Sequence, residues 1–275
     1  MSAESSQSGR PGKKAYFLVG VFVVVAVSFP FLFIYQTWFG RKLTDAQIDE
    51  FFADRAKPRH AQQALVQVEE RMSRHENAAR WYPQVIAEAS SPSVEIRETA
   101  AWVMQYDRAY SPFHEALLRL IHDPQAMVRR NAALSLAAFG DGAARPELIS
   151  MLRPYTLTAP ADGTLKYRLK LGEYVNPGTL VAHIGETEVR SSVPGEVREL
   201  DARDGAKVRA GDPLADLSAD KSHVWEALRA LYLVGQPEDL DDVQRYNRAV
   251  SGMPDNVHQQ AALTAQAIQT RHSTP

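Results

Sequence analysis

The sequence contains no cysteine, and this absence excludes three kinds of chemistry. Without a thiol the chain cannot form disulfides, hold zinc through thiolates or use a cysteine nucleophile. The eight histidines offer no substitute, because none stands in an H-x-x-x-H pair or at metal-ligand spacing from a carboxylate. We therefore expect no metal site.

The chain also lacks a charge excess and the short motifs of common catalytic sites. Its 31 lysines and arginines are balanced by 33 aspartates and glutamates, so nucleic acid is not an expected partner. No G-x-S-x-G, P-loop or dinucleotide fingerprint occurs. An acidic group at Asp239, Asp241 and Asp242 could suggest a cation site, but it fits the start of a helix, where acids favour the dipole. We expect no enzyme activity, no cofactor and no small-molecule substrate.

One long stretch near the N-terminus carries no charge. The apolar run "AYFLVGVFVVVAVSFPFLFIY" begins at Ala15, and Trp38 follows it as part of an aromatic boundary. A membrane helix needs about 20 apolar residues. The alternative is a cleaved signal peptide, but the run is long for one and no A-x-A site follows it. We predict a transmembrane anchor over Ala15–Trp38, preceded by a disordered tail over residues 1–14.

The orientation of this anchor follows from the basic residues at its ends. Arg10, Lys13 and Lys14 precede the span, and Arg41 and Lys42 follow it. A compact basic cluster on a short tail favours a cytoplasmic N-terminus. We expect a single-pass protein of a bacterial inner membrane, with the bulk of the chain in the periplasm.

A repeat with an offset of 32 residues lies beyond the anchor. "SPSVEIRETAAWVM" from Ser91 and "DPQAMVRRNAALSL" from Asp123 share a proline, an arginine and two alanines in register, and a second helix-like segment follows each. This pattern resembles HEAT repeats, whose D-P-x-x-x-V-R-x-x-A-A-x-x-L run it matches. In that family the aspartate and arginine are structural, which implies that Arg97, Arg129 and Arg130 join successive repeats and bind no ligand.

The helical array is predicted over residues 43–153 and again over 220–272. Thr44 and Gln47 form a plausible capping box at its start. "VWEALRALYLVGQPEDLDDVQRY", from Val224, copies the repeat design after the interruption. Four residues in this second part have helical spacing and are predicted to be core: Trp225, Leu228, Leu231 and Tyr232.

Residues 154–219 follow a different pattern, with short alternating strands separated by glycine and proline. The segment is also duplicated, because "PADGTL…LGEYVNPGTLVAHI" is echoed by "SVPGEV…DGAKVRAGDPLADL". This predicts two equal units of about four strands each around one shared core. Three residue pairs are expected to fill that core: Val175 with Val208, Leu180 with Leu214, and Ile184 with Leu217.

The duplicated segment resembles the biotinyl/lipoyl-like barrel, through its A-P-x-x-G-x-[VL] and G-x-x-V-x-x-G-x-x-L signatures. In the attachment domains of that family, the modified lysine stands on the hairpin that joins the two halves. Here Glu186, Thr187 and Glu188 lie in that place, and Val189 and Arg190 take the position of the lysine. The resemblance therefore implies the barrel without its cofactor.

The missing lysine argues against a carrier, since none occurs between Lys170 and Lys207 and arginine cannot form the amide. Membrane fusion proteins, the periplasmic adaptors of efflux and secretion systems, carry the same barrel behind an N-terminal anchor. They differ by a long coiled-coil hairpin between the two halves, whereas a few residues join the halves here.

Together these patterns predict an α+β multidomain chain: a transmembrane helix, then an all-α HEAT-like solenoid interrupted by a small all-β lipoyl-like barrel. The expected function is a non-enzymatic, membrane-anchored scaffold or adaptor subunit that binds protein partners in a bacterial envelope complex. The alternatives are a membrane-fusion-type periplasmic adaptor and a degenerate carrier component of an enzyme complex. The candidate partner-binding residues lie on the hairpin: Glu186, Thr187, Glu188, Arg190 and Ser191.

The carrier alternative makes a direct prediction. We expect the intact mass of the protein, purified after co-expression with biotin and lipoate ligases, to equal the mass of the unmodified chain. The physical reason is that residues 171–206 contain no side-chain amine to acylate. Recovery of a biotinyl or lipoyl adduct on this segment would restore the carrier alternative.

Overall fold

The computed structural model describes residues 42–248 and 250–273. The predicted tail, residues 1–14, and the predicted span, Ala15–Trp38, both lie outside the described residues. Within the described ranges no helix combines the length and apolar character that a membrane crossing needs.

Helices form the chain on both sides of a β domain, so the α+β class is confirmed. The capping box is also confirmed, because the Thr44 and Gln47 N–H groups each donate to the other's side chain, at 3.1 and 3.3 Å. The helices before the strands are α1 (Asp45–Ala53), α2 (Pro58–Ser73), α3 (Tyr82–Glu88), α4 (Val94–Val103), α5 (Ser111–Leu120), α6 (Ala126–Ala138) and α7 (Arg145–Met151). Those after them are α8 (Lys221–Val234), α9 (Leu240–Gln244) and α10 (Asp255–Ser273).

Four of these helices, α4, α6, α8 and α10, pack in a row. The Asn131 side chain donates to the Glu98 carbonyl and the Ser135 hydroxyl to the Ala101 carbonyl, so α4 and α6 run parallel. The Thr264 hydroxyl makes the matching buried bond from α10 to α8. The helices approach closely because small alanines face the contact, and four of these are fully buried: Ala100, Ala101, Ala132 and Ala133.

An arginine ladder joins successive repeats, as the sequence predicts for Arg97 and Arg129. The Arg97 guanidinium holds the Asp123 carboxylate through two bonds, at 2.7 and 3.1 Å, and its third nitrogen binds the Ser91 carbonyl. Arg129 makes the equivalent bond to the Asp123 carbonyl and meets Glu147 at 3.0 Å. Each arginine therefore fixes the turn before its own helix to an acid on a later element.

Arg130 does not belong to this ladder, which corrects the sequence interpretation. Its side chain is buried, and one nitrogen lies 2.7 Å from Nδ1 of His223 on α8. Its Nε has no hydrogen-bond partner in the described part of the chain and lies 3.8 Å from a Glu147 oxygen. Arg130 instead connects two helices that the β domain separates in sequence.

Two further arginine–aspartate pairs link the helices on either side of the β domain. Arg145 binds Asp239 through two bonds, at 2.7 and 3.1 Å, and Arg153 binds Asp242 through two bonds, at 2.9 and 2.6 Å. The Tyr246 hydroxyl adds a bond to the Leu152 carbonyl at 2.7 Å. Two of the three acids at the start of α9, Asp239 and Asp242, are therefore paired with arginines from before the strands.

The β domain contains eight strands within the described residues: β1 (Tyr155–Thr158), β2 (Gly163–Tyr167), β3 (Tyr174–Val175), β4 (Leu180–Ile184), β5 (Thr187–Arg190), β6 (Gly195–Leu200), β7 (Lys207–Val208) and β8 (Pro213–Leu217). They form two four-stranded sheets, with the orders β1-β8-β6-β3 and β5-β4-β2-β7. Exchanging the first four strands with the last four converts one order into the other. The duplication in the sequence is therefore a twofold relation in the topology.

The two ends of the β domain lie side by side. β1 and β8 pair antiparallel, and Tyr155 stands opposite Leu217 in their register. The chain consequently leaves the β domain next to the point where it entered, and α8 packs on both α6 and α7. The row of helices continues across the insertion.

The core of the β domain matches the predicted pairs with one shift of register. Val175 and Val208, and Ile184 and Leu217, are buried as expected. Leu180 is only half-buried, whereas Val181 is fully buried and is the residue equivalent to Leu214 in the duplicated sequence. The prediction of Leu180 is wrong because the register of β4 with β5 shifts between Leu180 and Ala182, and Val181, at an offset of 33 from Leu214, is buried instead.

Glycine is required at one close approach within this core. At Gly195, a Cβ would lie 2.5 Å from the Ser218 carbonyl oxygen, so no larger residue fits beside β8 without moving backbone. Its partner in the duplicated sequence, Gly163, has an equivalent contact with Ile184.

The arginine ladder predicts a large cost for Arg97→Ala. The Arg97–Asp123 pair is largely buried, so the substitution leaves an unpaired carboxylate, and we expect the free energy of unfolding to fall by about 3 kcal/mol. Arg74→Ala is the matched control, because it breaks the exposed pair with Glu70 and is expected to cost under about 1 kcal/mol. Urea denaturation at neutral pH measures both, and equal costs would contradict a structural role for the ladder.

The difference in the free energy of unfolding between wild type and Arg97→Ala is also expected to depend on pH. Burial acts to raise the pKa of Asp123, but hydrogen bonds from Arg97 and Gln125 and the nearby arginine charges outweigh it, so the pKa is lowered. A lowered pKa adds stability above the unfolded value of about 3.9, and this is lost as pH falls through the folded value. The difference between wild type and Arg97→Ala should therefore shrink below about pH 4.

Candidate interaction surfaces

The predicted hairpin is formed by β4 and β5, and the structure corrects where its tip lies. Ile184 pairs with Thr187, so the two turn residues are Gly185 and Glu186. Val189 lies within β5, and Arg190 is the last residue of that strand. Neither Val189 nor Arg190 therefore stands at the tip of the hairpin.

Only part of the predicted partner-binding set is available on this hairpin. Ser191 is 3% exposed and its hydroxyl donates to the Val193 carbonyl, so it cannot reach a partner. Arg190 donates to the Glu188 carboxylate at 2.9 Å and to the Gly178 carbonyl at 2.7 Å. These two side chains are exposed but pair with each other, so Glu186 at the tip is the remaining charged residue of the predicted set.

A second surface lies along the row of helices α4, α6, α8 and α10. It is an open groove of about 500 Å³, and apolar side chains from all four helices line it. Four of the large ones are strongly exposed: Trp102 at 38%, Tyr232 at 45%, Leu233 at 52% and Leu263 at 54%. Exposed apolar residues are ordinary when scattered, but a contiguous group marks a surface that binds something.

Sequence reasoning did not identify this groove. Tyr232 was predicted to be core, which is wrong, because it follows the buried Leu231 and turns outward. A signal was present in the repeat itself: Trp102 and Leu134 occupy the same position at the offset of 32, and both line the groove. Large apolar residues at an outward-facing repeat position would have indicated it.

Two carboxylates stand beside the apolar groove. Glu226 lines it, and Glu98 lies one helical turn before Trp102 on the same face of α4. Burial raises the pKa of both groups, with smaller contributions from Glu95 at Glu98 and from Asp220 at Glu226. Each residue is half-buried, and within the described residues no carboxylate oxygen of either accepts a hydrogen bond.

The β domain is held against the helices by a polar junction. The Asp220 side chain caps α8, accepting from the Ser222 and His223 N–H groups at 3.0 and 3.1 Å, and accepts the Tyr174 hydroxyl at 2.8 Å. Burial and the adjacent Arg130 lower the pKa of His223 to about 4. His223 is therefore neutral near pH 7 and can accept a hydrogen bond from Arg130.

An acidic cluster lies on the β domain, where β6 and β8 pair. The carboxylates of Glu199, Asp201 and Asp216 can approach within 4.8 Å of one another, and Thr156 donates to Asp216. Burial and the charge of Asp216 raise the pKa of Asp201. The cluster escaped sequence reasoning because its members meet only through strand pairing.

Comparison with known proteins supports the helical region. Residues 82–161 match the family described as HEAT repeats, which are typical protein–protein interaction modules. The chain is also 35% identical, over 80 residues, to the Uncharacterized protein YqeB of Escherichia coli (strain K12). That match covers 27% of this chain and 15% of the relative's length, so it concerns one segment of each protein.

Proposed function

We propose that the chain is a non-enzymatic, membrane-anchored scaffold or adaptor subunit of a bacterial envelope complex. The observation that carries the proposal is the groove, because it exposes a continuous apolar surface on repeats of an interaction type. HEAT repeats suggest a protein-interaction scaffold, since stacked repeats offer an extended surface to protein partners.

In this proposal the β domain carries no cofactor and serves as a rigid second surface. We interpret it as a biotinyl/lipoyl-like barrel without an attachment lysine, supported by the duplicated sequence and the exchangeable strand orders of its two sheets. The junction at Asp220 holds it rigidly, so it would present its hairpin at a fixed distance from the groove. Glu186 and Thr187 are the hairpin residues most open to a second contact.

The location in this proposal rests on the uncharged run before the helices. Ala15–Trp38 would anchor the chain in an inner membrane with the N-terminus in the cytoplasm, and the groove would then face periplasmic partners.

Affinity purification from native membranes tests the proposal. We expect envelope proteins to co-purify with the tagged wild-type chain and to be lost with the double variant Trp102→Ala/Leu263→Ala, which removes apolar area from the groove. Leu171→Ala is the matched control, because Leu171 is a 60% exposed apolar residue of the β domain outside the groove. A partner set unchanged by the groove variant, or no partner above background, would refute the scaffold.

The runner-up function is a membrane-fusion-type periplasmic adaptor, which the two-sheet β domain favours. The short connection Ser191–Pro194 between the halves leaves no room for a coiled-coil hairpin, which argues against it. Such an adaptor predicts oligomeric rings, whereas we expect a protein beginning at residue 43 to remain monomeric in multi-angle light scattering at high concentration. A concentration-dependent ring would favour the adaptor instead.

A further inference from the structure

The groove beside Trp102 is apolar, but two acidic side chains lie next to it. The two carboxylates beside it, Glu98 and Glu226, are half-buried and have no hydrogen-bond or ion-pair partner within the described residues. Other acids of the helical region are satisfied: Asp123, Asp239 and Asp242 each bind an arginine. The two groove acids are therefore an exception among the buried and half-buried acids of the described helices.

Keeping these two acids unpaired has a cost in stability. Their raised pKa values mean that the folded protein binds a proton more tightly than the unfolded chain does. Stability therefore falls as pH rises through the interval between the unfolded and the folded pKa, and the loss persists at neutral pH. A charge retained at such a cost is expected where a partner of opposite charge arrives.

The charged groups near Glu98 and Glu226 do not neutralise the two carboxylates. Asp220 and Glu95 add negative charge near Glu226 and Glu98 respectively. Arg229 is the nearby cation and also lines the groove, and its charge acts to lower the pKa of Glu226 without outweighing burial. Its guanidinium stacks over the Trp225 ring at 4.5 Å and forms no ion pair with Glu226 within the described residues. Arg271 lines a separate depression that shares Tyr232 and Leu263 with the groove, and it donates to the Gly235 carbonyl at 2.9 Å.

We propose that the groove binds a basic amphipathic helix of a protein partner, with its apolar face on Trp102, Leu233 and Leu263 and its lysines or arginines against Glu98 and Glu226. This rests on the proposed scaffold function and specifies the partner it takes. A row of parallel helices with an apolar channel suits a helix laid into it, with anchors at three- and four-residue spacing. Glu98 and Glu226 would then favour a basic amphipathic helix over an acidic one of the same apolar pattern.

The test uses two fluorescein-labelled peptides of roughly 18 residues with the full-length protein in detergent. Both carry leucine at three- and four-residue spacing; one has lysine on its flanks, and the other has glutamate at the same places. We expect the lysine peptide to bind at least about tenfold more tightly in fluorescence anisotropy at low salt, and the preference to shrink as salt rises.

Two variants separate charge from apolar contact. Glu98→Gln/Glu226→Gln should reduce the preference to within about threefold while leaving the melting temperature unchanged or higher, because it removes two unfavourable buried charges. Trp102→Ala/Leu263→Ala should weaken binding of both peptides, whereas Leu171→Ala should change neither. Circular dichroism confirms that each variant is folded.

The outcomes distinguish this inference from the function on which it rests. Equal binding of the two peptides would overturn the basic partner and leave the scaffold standing. Binding of neither peptide, or occupation of the groove by a second copy seen as a dimer in light scattering, would also overturn the basic helix. The scaffold itself fails only if the native purification yields no groove-dependent partner.

Discussion

The structure depends on the pairing of two strands, β1 and β8, which places Tyr155 opposite Leu217. Because of this pairing the β domain begins and ends at the same place. The helices before it and after it can therefore still pack on one another. The Arg145–Asp239 and Arg153–Asp242 bonds then join elements that lie before and after the insertion. The groove exists for the same reason, because its helices come from both sides of the β domain.

The junction determines that the β domain and the helices act as one body. Ala126, near the start of α6, belongs to the buried core of the β domain, and Tyr155 packs against that core. Asp220 adds polar bonds to a strand and to a helix at once. A surface on either part is therefore held at a fixed distance from a surface on the other, as a scaffold requires.

Much of the fold could be predicted from the sequence, because each repeated segment supports the structure predicted for its copy. The offset of 32 located α4 and α6, the resemblance to HEAT repeats implied that Arg97 and Arg129 join them, and the second duplication indicated two equal β units. The errors came where single residues face different environments. A shift of register between Leu180 and Ala182 leaves Val181 buried in place of Leu180, and Tyr232 follows a buried leucine but points outward. Arg130 follows a ladder arginine yet binds His223, a contact between residues 93 positions apart.

The exchange of strands between the two β units also determines an order of events as the protein is synthesised. Each sheet takes strands from both halves, so the first half has no complete sheet of its own until the second has been made. The helix α8 follows β8 directly, so its packing on α6 and the pairing of β8 with β1 close the same loop. The last repeats can therefore stack only after the whole insertion has been synthesised, and their stacking includes the entropy cost of closing that loop. Until then, α6 exposes the apolar surface that α8 will cover, which makes this interval the time of greatest exposure to aggregation.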